Sequence, residues 1–155
     1  MRWLVTIFLT LAIWSVPSAH AETLYAYADA VTIVGSVDAD GHRTAVVTIL
    51  DAGTAIEDKA TAGDLYRAAV TMAAVVHRFE ARPAREGQGA TATKHGAVTF
   101  AAEQRGSVAR LRVSVEGEGV TFEGVAIDEV AAGFKALADW FEAEETGAAD
   151  AAMKI

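Results

Sequence analysis

The fold turns on residues 96–127, GAVTFAAEQRGSVARLRVSVEGEGVTFEGVAI, where short runs of β-branched residues are cut by Arg105-Gly106 and by Gly117-Glu118. Two-residue turns at those breaks predict a meander of three strands. Phe100 then faces Leu111, Val98 faces Val113, Val115 faces Val120 and Val113 faces Phe122, all on one side. The other side pairs Thr99 with Arg112, Ala101 with Arg110 and Arg112 with Glu123, and Val108 is the one apolar exception. A slip by one residue would turn Arg110 and Arg112 into the core, where an unpaired charge is very costly, so the faces are strongly specified.

On the C-terminal side, Asp128 is placed to cap a helix over 129–145. Its apolar face is Val130, Phe134, Leu137 and Phe141, with Trp140 at the flank, and Gly133 on that side lets the helix approach the sheet closely. Beyond it, residues 147–155 offer only Met153 and Ile155 as anchors and read as a flexible tail.

On the N-terminal side, residues 84–94 hold Gly87 and Gly89, show no apolar period and read as a loop. Pro83 ends a helix that Thr61 can cap and that runs to Arg82. Leu65, Ala69, Met72, Val76 and Phe79 form its apolar face, opposite Arg67, Thr71, Arg78 and Arg82. Further upstream, residues 30–50 read as a hairpin turning at Asp40-Gly41, with Asp38 across from Arg43 and apolar residues on both faces, which predicts cover on two sides. Residues 52–60 carry no strong signal.

Arg2, the apolar run Leu4 to Val16, Pro17 and then Ala19-His20-Ala21 have the layout of a secretory signal peptide cleaved after Ala21. The expected organisation is therefore a leader over 1–21, one domain over 22–146 and the tail. Losing Arg2 with the leader takes the formal charge from -8 to -9. The chain has no cysteine, so neither a disulfide nor a lipidated cysteine is available in the export compartment. A periplasmic or secreted location without a transmembrane anchor after cleavage is expected.

These elements predict an α+β domain of two layers: an antiparallel sheet of about five strands in ββαβββα order with two helices on one face. That order is similar to the topology of the longin, roadblock and profilin-like group of small domains, a likeness that no motif carries and that implies no activity.

The acidic balance disfavours nucleic acid as a partner, because a phosphate backbone repels it. Cations concentrate between Arg67 and Arg112. Two patches follow: Arg82, Arg85 and Lys94 as an anchor for an anion or an acidic partner, and Arg110, Arg112 and Glu123 on the polar side of the meander. His42, His77 and His95 lack the spacing of a metal site, and Ser36, Ser107 and Ser114 lie in no nucleophile elbow. The residues point to no catalytic group, metal or cofactor. The leading expectation is a non-enzymatic interaction module that binds an envelope or extracellular protein or a second copy of itself. Two alternatives stand beside it. One is a site for a small apolar or anionic ligand between helix and sheet, with Tyr25, Tyr27 and Trp140 at its mouth; the other is a hydrolase built on His77, Glu80 and Tyr66.

Overall fold

The computed structural model describes residues 20–81 and 90–153, with side chains through residue 144. The chain is α+β, and its elements are β1 (His20–Tyr27), β2 (Val31–Val37), β3 (Arg43–Ile49), β4 (Ala52–Ile56), α1 (Lys59–Ala81), β5 (Ala90–His95), β6 (Val98–Arg105), β7 (Val108–Val115), β8 (Glu118–Phe122) and α2 (Val125–Met153). They form two four-stranded antiparallel sheets, β1-β2-β3-β4 and β5-β6-β7-β8, in place of the expected single sheet of five. The ββαβββα order is thereby corrected to ββββα repeated twice, and the topological likeness to the longin, roadblock and profilin-like group goes with it.

The strands missing from the sequence reading are β1, β4 and β5, and each is an edge strand. Their sequences, HAETLYAY, AGTAI and ATATKH, hold few large β-branched residues. What makes them strands is the backbone ladder offered by β2, β3 and β6, which satisfies N–H and C=O groups whatever the side chains are.

In the meander, Val98 pairs with Val115, Phe100 with Val113, Ala102 with Leu111, Leu111 with Phe122 and Val113 with Val120. The turns sit at Gly106-Ser107 and Glu116-Gly117, and Glu116 (φ 50°) and Gly117 (φ 86°) are both left-handed as a tight hairpin requires. Both pairings are thus displaced by two residues from the expected register. An even displacement keeps every side chain on its face, so Val98, Phe100, Leu111, Val113, Val115 and Phe122 are all buried. The first hairpin differs by one residue. Val37, not Asp38, pairs with Arg43, because the Asp38 carboxylate Oδ1 accepts from the amides of Asp40 (3.0 Å) and His42 (2.9 Å) and stabilises a longer loop. Nor is this hairpin covered on both sides, since Val46 on its outer face is 45% exposed.

Helix α1 begins before Thr61. Asp58 is the cap: its Oδ1 accepts from the Thr61 amide (2.7 Å) and its Oδ2 from the Thr61 hydroxyl (3.0 Å), which holds its carboxyl below the ordinary range. Helix α2 begins at Val125 after the left-handed Gly124 (φ 59°), so Asp128 lies in its first turn instead of capping it, and the helix continues past residue 145 to Met153.

The two helices pack on each other, and each crosses to the other half's sheet: α1 lies on β5, β6 and β7, and α2 on β1, β2 and β3. Buried positions Ala62, Leu65, Ala69, Met72 and Val76 of α1 recur at the same spacings in α2 as Ile127, Val130, Phe134, Leu137 and Phe141. The small set and the large set complement each other. Glycines permit the closest approaches: a Cβ on Gly35 of β2 would lie 2.5 Å from the Trp140 ring, and one on Gly133 of α2 would lie 2.5 Å from the Tyr25 ring. Phe134 of α2 meets Phe100 of β6 edge-on at 5.0 Å, and Tyr27 of β1 packs 4.9 Å from Phe122 of β8. The halves therefore share one core.

Candidate interaction surface

Strand parity places the charged residues of the second sheet. Val98, Phe100 and Ala102 point to the helices, so Thr99, Ala101 and Glu103 of β6 face away, and across the ladder so do Ala92 and Lys94 of β5, Arg110, Arg112 and Ser114 of β7, and Gly119 and Thr121 of β8. This solvent face has a floor of small residues and carries Lys94, Arg110 and Arg112. The corresponding face of the first sheet presents Thr32, Val34, Ser36, Thr44, Val46 and Thr48, with no charge among them.

The three cations are held differently. Arg110 lies directly across from Glu103, and its Nε is 3.6 Å from Glu123, an ion pair the sequence reading had assigned to Arg112. That Nε is buried and, among the described residues, has no hydrogen-bond partner. Arg112 lies flat over Gly119, where a Cβ would meet its Nε at 2.6 Å, and its terminal NH2 approaches the Gly117 carbonyl at 3.4 Å. Lys94 is exposed on the edge strand. Between Lys94 and Arg112 runs β6 with Thr99 and Ala101, a lateral gap of about 10 Å at ordinary strand spacing.

Of the two expected patches, the structure thus brings Lys94 together with Arg110, Arg112 and Glu123 on one surface. Arg82 and Arg85 lie outside the described residues. Arg67 sits on α1, on the opposite side of the sheet, and pairs with Asp64 one turn away.

The alternative constellations separate. His77 bonds Glu80 through Nδ1 (3.2 Å) and reaches Asp128 of α2 through Nε2 (2.9 Å). Tyr66 is eleven residues away on the same helix, about 16 Å along its axis, and does not join them. Tyr25, Tyr27 and Trp140 are each taken up in packing. Trp140 lies over Gly35, donates from Nε1 to the Thr44 carbonyl (3.3 Å) and carries the Arg43 guanidinium 4.2 Å above its ring. Among the described residues, no three His, Cys, Asp or Glu side chains come close enough to hold one metal ion. An open cleft of about 530 Å3 beside Asp40, His42, Arg43 and Glu144 leaves no signal in the sequence, because it depends on where the longer β2–β3 loop meets Ala143 and Glu144 of α2.

The His77 bridge gives the fold a pH dependence. The Asp128 and Glu80 carboxylates raise the His77 pKa above its ordinary value, against a smaller effect of burial. A raised pKa contributes stability that is fully present below about 6.5 and lost as pH rises through the higher folded value. The ring is 41% exposed, so screening limits the effect to a few tenths of a kcal/mol. Urea midpoints measured between pH 5.5 and 8.5 should fall slightly across this interval, and His77→Gln should flatten that slope.

No helix of the described residues is long and apolar enough to cross a membrane. No protein-family model, curated protein or solved structure matches this chain.

Proposed function

We propose that this chain is an exported interaction module that receives an acidic partner on the outer face of its second sheet. One observation carries the reading: in a chain of net charge -8, Lys94 and Arg112 lie on a solvent-facing sheet surface floored by Thr99 and Ala101, with Arg110 beside them paired to Glu123. Small floor residues let carboxylates approach both cations, and cations set against an acidic background steer an acidic partner to this face. The leader over 1–21 supplies the export half of the proposal, and an envelope or extracellular protein is the partner it implies.

The test is charge reversal. Mature protein carrying Lys94→Glu and Arg112→Glu should bind hexaglutamate at least about tenfold more weakly than wild type at low salt. Its melting temperature should be unchanged, because both side chains lie outside the core. Reversal of Arg67 and Arg78 on α1 should leave binding as it was. Equal losses from the two pairs would mean that net charge, and not this face, governs binding.

A further inference from the structure

The repeat exposes a difference between the halves at one position. In the first, Tyr25 of β1 pairs with Ile33 and its ring fills the space beside Gly133 of α2. In the second, Thr93 of β5 pairs with Phe100, which stands where Ile33 stands, and Ala68 of α1 stands where Gly133 stands in the matched helix spacing. A tyrosine and a glycine have become a threonine and an alanine, and the ring has no counterpart. What remains is an open cleft of about 350 Å3 between the edge strand and the helix, lined by Ala68, Thr71, Met72, Thr93 and His95, with the Asp64–Arg67 ion pair at its side.

This cleft runs beside a sheet edge that is unpaired among the described residues. Strand β5 ends its sheet, and Ala90, Thr91, Ala92 and Lys94 are exposed. A strand added there would be held by backbone hydrogen bonds, and its side chains would alternate between the cleft and the outer face. Charge settles the alternation. Of the two residues flanking the one in the cleft, one emerges beside Ala92 and the other beside Lys94, where a carboxylate is favoured. A second copy of β5 is the poorer occupant, because it would bring another Lys94 onto the same face.

We infer that the edge of β5 accepts an extended segment of a partner protein as a fifth strand, with an aromatic or large aliphatic side chain in the cleft at Thr93 and Ala68 and a neighbouring carboxylate at Lys94. This rests on the acidic-partner reading for the flanking residues, and the cleft is a separate claim.

The probe is the blocked peptide Glu-Thr-Glu-Phe-Glu-Thr-Glu, compared with the same peptide carrying Ser in place of Phe. The Phe peptide should bind at least about tenfold more tightly and slow amide exchange over residues 90–95. The double variant Ala68→Gly/Thr93→Tyr rebuilds the first half's plug and should abolish that preference while still binding hexaglutamate. Thr71→Trp, which closes the mouth from the exposed side of α1, should do the same if the double variant folds poorly. Equal binding of the two peptides, unprotected β5 amides, or a preference that survives both variants would overturn the inference. So would β5 protection that depends on protein concentration without peptide, which would mark a second copy as the occupant. Loss of hexaglutamate binding in the Lys94→Glu/Arg112→Glu variant bears on the outer face alone, so the two claims fail separately.

Discussion

Gly35→Ala should destabilise the protein by about 2–3 kcal/mol, a large share of the stability of a domain this size. The added methyl would stand 2.5 Å from Cε2 and 2.8 Å from Nε1 of Trp140. The indole has little room to withdraw: it is 8% exposed, bonded to the Thr44 carbonyl and covered by Arg43, whose Nη1 donates to the Trp140 carbonyl at 3.0 Å. Either β2 or α2 must shift, and both belong to the shared core. Urea denaturation would show the lower midpoint at an unchanged slope. If the clash is the cause, Gly35→Ala combined with Trp140→Leu should cost well below the sum of the single changes, because the second relieves the first.

Phe134→Ala should cost more, about 3–5 kcal/mol. Phe134 is fully buried and stands edge-on to Phe100 of β6. The α1 helix that packs on α2 carries the much smaller Ala69 at the matching position, and it too is fully buried. Near-UV circular dichroism at 37 °C should report loss of fixed packing, and thermal scans a midpoint lower by 10 °C or more, on the scale of about 4–8 °C for each kcal/mol in small domains. Ala69→Gly, which removes one methyl from the opposing helix, should cost about 1 kcal/mol.

The contrast between these helices bears on what could be read in advance. The apolar faces of both were legible because a stripe at steps of three and four records burial in the identity of each residue, and Leu65, Met72, Val76, Phe134, Leu137 and Phe141 all lie in the core. The faces of β6, β7 and β8 were legible for the same reason at period two. Register was less so: Val98 fits opposite Val113 or Val115 equally well by polarity, and only turn geometry at Gly106-Ser107 decides between them. The edge strands β1, β4 and β5 were not legible. In ATATKH the deciding partner is the backbone of β6, which leaves no trace in the side chains of β5. That omission split the surface reading too: without β5 as a strand, Lys94 belonged to a loop with Arg85, and its place beside Arg112 could not be seen. The crossing of each helix to the other sheet depends on the missing strands in turn, since it takes two complete sheets to exchange helices.

The surface proposal is most directly tested by mapping hexaglutamate onto the amides of the isotope-labelled mature protein by nuclear magnetic resonance. Shifts confined to Ala92, Lys94, Thr99, Ala101 and Arg112, and fading in about 0.5 M salt as screening shortens the reach of Lys94 and Arg112, are the expected result. Shifts centred on α1 or on the outer face of the first sheet, or none at low salt, would contradict the account.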